Sequence, residues 1–267
     1  MGVTRDGRVA AVTNVAEAGD QGKHAVGVQS RGQVVRDVLC PMPGSPAVVR
    51  PCVDELKKRL GGDFEDAGGF NLVYGHEGRR IVVCSNRSDA AMDLSWGGTP
   101  GHTWAVSNGR LGARAWDKVV LAERAVDVAL ADSVRATEPE PELVERMLRV
   151  LSLDTLPRDQ GFGTGVEGLI AQLQKSIFIP VLKMWFSADP PGSFHAELCG
   201  LDSRDVEETP STAFSGKYGT TKQTVLLFHR SGRVKFIERT LFDGDDRPLD
   251  VANGRTDQIF EFQLREH

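Results

Sequence analysis

The side chains with the most reactive chemistry to offer are few and scattered. His195 and Cys199 stand four apart, which would put two soft ligands on one face of a helix. Two ligands do not complete the tetrahedral set of a structural zinc site, so the pair reads as a surface histidine near a buried cysteine, and no metal is expected. Cys40-Pro41 offers a thiolate of the kind that ligates haem iron. The same dipeptide also ends a helix, since proline is common just past a C-cap. Gly161-Phe162-Gly163-Thr164-Gly165 has neither the preceding strand nor the lysine of a phosphate cradle and reads as a loop. Gly2 carries no nucleophile, and Asp6 stands where an N-myristoylation motif takes Ser or Thr.

The elements that would position these residues are those of an ordinary globular chain. The 267 residues are 40% hydrophobic and 26% charged, enough for one large core. A net charge of -5 and a pI near 5.7 give no bulk attraction to nucleic acid or to an acidic membrane. The four cysteines, Cys40, Cys52, Cys84 and Cys199, form no CxxC pair and are too sparse for a disulfide scaffold, which favours a reducing cytosol. No apolar run is long enough to span a membrane, and the polar opening MGVTRDGR is not a signal peptide.

The clearest local structure is a hairpin between Tyr218 and Phe242. Thr224 to Phe228 is apolar and β-branched, His229 to Gly232 holds the turn residues, and Val234 to Leu241 alternates. Phe260, Phe262 and Leu264 alternate with polar residues as a last strand. Nearer the start, the turn Arg5-Asp6-Gly7 leads into a strand over Arg8 to Thr13. The strand that should precede Val3 is missing, so the chain is expected to be short at its front. Residues 14–29 read as a loop, and Ser30 with Gln33 forms a capping box before the helical stripe Val34, Val35, Val38 and Leu39. A second stripe runs from Val48 to Leu60. Phe70 to Tyr74 and Arg80 to Ser85 form another hairpin, followed by a polar loop and a strand over Thr103 to Val106. A long helix from Ala115 to about Val134 offers Trp116, Val119, Val120, Val126 and Leu130 to a sheet, and Pro141 opens the next helix. Residues 180–217 read as a surface excursion. Hairpins with helices gathered in the middle argue for an α+β fold.

Several short motifs, in order and spacing, resemble the NRDE family, that of the transport and Golgi organisation proteins. They are Gly2 to Arg8 with Thr13-Asn14, Ser30-Arg31-Gly32, Gly69-Phe70-Asn71-Leu72, Ser85-Asn86-Arg87, Ser107-Asn108, Trp116-Asp117-Lys118-Val119, Ser176-Ile177-Phe178-Ile179, and in the closing hairpin Tyr218-Gly219-Thr220, Gln223-Thr224-Val225 and Glu238-Arg239-Thr240. The resemblance implies one domain over 1–267 with a four-layer αββα sandwich like that of the N-terminal-nucleophile hydrolases. It also implies a cytoplasmic protein linked to Golgi and endoplasmic reticulum organisation and to secretion, with family connections to mitochondria, haem and acyl-lipids. The chain departs from the family pattern in lacking the opening Met-Cys and the Asn-Arg-Asp-Glu motif. Hydrolysis by an N-terminal cysteine, whose thiolate attacks an amide or thioester while its own amine acts as base, would need that missing segment. By family order Asn14, Asn108 and Arg239 are the candidate pocket residues, the amides as oxyanion donors and the guanidinium as a clamp on a carboxylate. Turn formation and strand-surface charge explain the same residues without a site. The expected ligand is a haem-like or acyl-lipid molecule.

Overall fold

The computed structural model describes residues 1–15, 30–40, 68–77, 80–93, 102–111, 116–158, 165–188, 191–198, 215–244, 247–251 and 256–265. They form two compact units. The first comprises residues 1–115, 227–235 and 261–267, and the second residues 116–226 and 236–260.

The first unit is built on a five-stranded antiparallel meander of β1 (Gly2–Val3), β2 (Arg8–Asn14), β3 (Phe70–His76), β4 (Arg80–Ser85) and β5 (Ser88–Asp93), paired in that order. The register aligns Ala10 with Tyr74 and Val12 with Leu72, and Leu72 in turn with Cys84. Side chains alternate across a strand, so these residues share one face. Helix α1 (Arg31–Leu39) covers it with Val34, Val38 and Leu39. Phe70, Leu72 and Tyr74 are fully buried there, each worth about 1.5–3 kcal/mol of burial. Ser30 caps α1 as expected, its hydroxyl accepting from the Gly32 amide at 3.3 Å. The capping box is only half made, because the Gln33 side chain turns forward to donate to Asp37.

Two expectations fail in this unit. Residues 88–93, read as loop, form strand β5 on the edge of the sheet. Thr103 to Val106, read as strand, carries no strand assignment. The carbonyl of Ser107 that follows is taken by the side chains of Thr13 and Asn71, so this segment is tied to the sheet through side-chain donors there.

The second unit holds helices α2 (Asp117–Ala136), α3 (Glu140–Leu151) and α4 (Gly165–Leu173), with a small sheet ordered β7-β6-β8 from β6 (Leu182–Ala188), β7 (Pro191–Leu198) and β8 (Ser215–Tyr218). Leu156, Leu169, Ile179 and Leu182 form its core, with α4 against β7. From Leu182 on, the described parts of the 180–217 stretch are strands β6, β7 and most of β8. Leu182 and Met184, alternating with Lys183, drive a strand there. Helix α2 does not present Val120 and Leu130 to a sheet. Both are exposed, at 38% and 41%, and its buried positions are Ala129 and Ser133, with α3 as the neighbour it packs against. The apolar excess of α2 is wider than any one seam can absorb.

A third sheet, ordered β11-β10-β9, contains the expected hairpin of β9 (Lys222–Phe228) and β10 (Arg233–Thr240) beside β11 (Asp257–Gln263). Gly232 takes φ +82° in the turn, a left-handed conformation that glycine adopts without steric cost. Residues 227–235 and 261–267 count with the first unit and the rest of these strands with the second. Tyr218, expected in the same hairpin, instead ends β8 and pairs with Leu182. The class is α+β with three antiparallel sheets. No helix among the described residues is long and apolar enough to cross a membrane.

The second stripe, Val48 to Leu60, lies outside the described residues, as do Cys52, Cys199, most of the 14–29 loop and residues 161–164.

Candidate functional site

At the start of β3 the backbone turns at Gly69. A Cβ there would stand 3.3 Å from both the Val15 carbonyl and the Arg87 side chain, a tight fit that would make these neighbours give way slightly. Three motifs that are distant in sequence meet on this point. Arg31 Nε donates to the Gly69 carbonyl at 3.1 Å. Asn86 Oδ1 accepts from the Phe70 amide at 2.8 Å, and Asn86 Nδ2 donates to the Gly68 carbonyl at 3.3 Å. Ser85 Oγ donates to the Phe70 carbonyl at 3.0 Å and accepts from the Arg87 amide at 3.2 Å. Ser30-Arg31-Gly32 and Ser85-Asn86-Arg87 thus work as clamps that fix where the strand begins.

What they position is a polar row on the sheet face opposite α1. Thr13, Asn71 and Ser85 are register partners across β2, β3 and β4. Asn71 is 1% exposed, and its Nδ2 donates to the carbonyls of Ser107 at 3.0 Å and Gly109 at 2.9 Å, with Thr13 Oγ1 at 3.3 Å. Thr13 Oγ1 itself donates to the Ser107 carbonyl at 2.9 Å. Asn71 Oδ1 is also buried, and among the described residues no donor reaches it. Exchanging the amide O and N would aim an oxygen at two carbonyls, so the donor geometry fixes the orientation and leaves a vacant acceptor. A buried acceptor without a donor costs about 1–3 kcal/mol.

The expected pocket residues fall as follows. Asn14 ends β2, is exposed, and by strand alternation lies on the α1 face, one residue away from the row that Thr13 joins. Asn108 is half-buried beside that row, and its Oδ1 lies 3.4 Å from Ser107 Oγ. The Thr13 to Ser107 bond therefore joins the two segments that carry Asn14 and Asn108. In the sequence Asn71 stands out only as part of the motif Gly69-Phe70-Asn71-Leu72. The signal that could have singled it out was an amide in the middle of the apolar strand Phe70-Asn71-Leu72-Val73, where a polar group must find partners.

Arg239 belongs to the second unit. It is 6% exposed, and its guanidinium donates to both oxygens of Asp257 at 2.7 Å and to Glu145 at 3.0 and 2.5 Å. The hydrogen bonds it donates to Asp257 and Glu145 raise its pKa well above the ordinary range, so it is charged at every working pH. The neighbouring motif Ser176-Ile177-Phe178-Ile179 is also structural. Ser176 Oγ donates to the Phe178 carbonyl and accepts from the Thr155 amide, while the Ile179 amide donates to Thr220 Oγ1.

Cys40 is exposed and free, and caps α1 through its amide to the Arg36 carbonyl at 2.7 Å. His195 lies on strand β7 opposite Trp185, not on a helix. The helical face on which their spacing was read is therefore not present at His195, and Cys199 lies outside the described residues.

Comparison with curated proteins gives no match. A family model does match, that of Transport and Golgi organisation 2, over residues 1–243. The match takes in the clamps, the polar row and the Arg239 strand, and the chain belongs to the Transport and Golgi organisation 2 family.

Proposed function

We propose that this protein supports Golgi organisation and secretion from the cytoplasm by carrying a hydrophobic ligand of the haem or acyl-lipid class, held beside the polar row of its first unit. The family's hydrolase-like αββα sandwich is the architecture that this reading assumes. The observation that carries it is family membership over residues 1–243. For a ligand beside the row, Asn71 Oδ1 would accept from a ligand N–H, such as an amide of the coenzyme A arm, with Asn108 next to it; a haem would instead be tested at Cys40, the candidate thiolate at the end of α1, which covers the opposite sheet face. The experiment is a titration of the full chain with haemin and, separately, with palmitoyl-coenzyme A, followed by tryptophan quenching and the Soret band. Saturable binding of either near one equivalent is expected, with Cys40→Ala shifting the Soret band if the thiolate ligates iron. A cooperatively folded protein that saturates with neither would overturn the reading.

A second reading, an amide hydrolase whose cysteine lies upstream of this chain, is favoured by one detail. Asn71 Oδ1 is an acceptor, which suits an amide N–H and offers nothing to a carboxylate. Turnover of an amide by a chain extended upstream with Met-Cys, abolished by Cys→Ala in that extension, would establish it.

A further inference from the structure

Lys118 is a cation placed where little holds a charge. It stands in the first turn of α2, a helix of 20 residues, at the positive end of a dipole that favours anions. The N-cap residue Trp116 makes no side-chain cap bond, so the cap adds no acceptor there. The Lys118 amide donates to the Gln174 carbonyl at 3.1 Å, which ties the turn to the residue just past α4. Its Nζ lies over the Trp116 ring, 5.2 Å from the centroid. That ring face attracts a cation, but it is no oxygen acceptor for the three N–H groups of an ammonium. The charged residues adjoining it in these two segments are Asp117, which is exposed, and Lys175, and neither forms an ion pair with it. One turn along α2 stand Leu121 and Ala122, so the helix supplies no carboxylate at the i+3 or i+4 position either. Among the described residues Lys118 therefore has no carboxylate partner. Burial without a partner disfavours the charged form and lowers the amine below its ordinary pKa.

A half-buried lysine freed of its proton is a nucleophile. We propose that Lys118 is a covalent acceptor for acyl groups carried as thioesters. The neutral amine attacks the thioester carbonyl, and a C–N bond forms as the C–S bond breaks. The electron pair of the broken bond leaves on sulfur, and the proton shed by nitrogen turns the thiolate into a thiol. The product is an uncharged amide, so acylation ends the cost of keeping an ammonium at this point. A thioester suits the site better than an aldehyde does. Imine formation needs an acid to expel water, and no acidic side chain pairs with Lys118, whereas a thiolate leaves unaided. Lys118 belongs to the second unit, and the inference does not rest on a ligand beside the polar row of the first.

The test incubates the full chain with the acetyl thioester of N-acetylcysteamine, which carries no nucleotide. Hydroxylamine then strips acetyl groups from exposed thiols such as Cys40, and peptide mass spectrometry follows each lysine with time. Lys222, exposed and paired with Glu238 at 2.5 Å, is the internal reference. Near neutral pH Lys118 should acquire acetyl at least about threefold faster than Lys222, and its rate should level off at a lower pH. Lys118→Arg should remove the leading site and leave the Lys222 rate unchanged. Ala122→Glu puts a carboxylate one turn along from the ammonium and should slow Lys118 about twofold, with an unchanged thermal transition showing that the fold is intact. Lys222 reacting as fast as Lys118, or Lys118 staying unmodified, would overturn the proposal. So would a folded Ala122→Glu protein in which the Lys118 rate has not moved.

Discussion

Arg239 and Asn71 are the two most informative buried polar side chains, one in each unit, and they are satisfied in opposite ways. Arg239 is a charge with a complete set of partners. Asp257, itself only 10% exposed, and Glu145, 53% exposed, take up its guanidinium from two sides. Asn71 is neutral and buried even more deeply, but its partners are all acceptors and its own acceptor is left over. A satisfied buried pair holds structure, and removing one member is costly because the other is stranded. A neutral amide with an unmet acceptor among the described residues holds structure with its donor end alone. The contrast teaches that depth of burial does not by itself tell how completely a polar side chain is satisfied.

The largest effect should come from breaking the charged centre. Asp257→Ala should destabilise the protein by about 3–5 kcal/mol in urea unfolding, because Arg239 keeps only its half-exposed partner. Replacing both, Arg239→Met with Asp257→Leu, should recover much of that loss, and a double variant no better than the single would show that the pair contributes attraction of its own. Next, Asn71→Ala should cost about 1–3 kcal/mol by removing the Gly109 carbonyl's Asn71 donor and leaving the Ser107 carbonyl only Thr13. Asn71→Asp should cost more, since a carboxylate would face them. If Asn71→Asp proved the milder change, the orientation assigned to the amide would be wrong. Ser30→Ala should remove about 1 kcal/mol through the α1 cap. Glu145→Gln should cost less than about 1 kcal/mol, because solvent screens that arm of the centre.

Acid titration supplies a smaller, third case. Burial alone would raise the Asp6 carboxyl, but hydrogen bonds from Arg8 and Thr4 hold it below its ordinary value. A depressed carboxyl stabilises the fold above its unfolded pKa of about 3.9, and that contribution fades as pH falls through the lower folded value. Asp6→Asn should therefore flatten the stability curve in that acid window alone.

Much of this was legible in the sequence, for reasons that can be located. The half-apolar run Arg8 to Thr13 after a turn and the alternation over Val234 to Leu241 read as strands, and strands β2 and β10 form there. Ser30 announced a helix start through its capping chemistry. Strand β5 was not readable, since Ser88 to Asp93 lacks the apolar alternation that marks a half-buried strand. The α2 face was misread because its apolar residues exceed one seam. The site was half legible. Family order pointed to Thr13-Asn14 and Ser107-Asn108, but the hydrogen bonds run through Thr13, Ser107 and Asn71. Which neighbour of a motif residue bonds across the sheet is decided by register, and register is long-range.

The division of the chain between units bears on how the protein is made. The first unit draws on residues 227–235 and 261–267 as well as on 1–115, with 116–226 intervening. A ribosome that has released the first 115 residues has not yet supplied what that unit needs to close. The meander can bury its apolar face under α1 early, but residues 227–235 and 261–267 join only after more than a hundred further residues have emerged, and contacts of such sequence separation are slow to form. This topology lengthens the interval during synthesis in which the first unit is incomplete, and in which small losses of stability translate into lost yield.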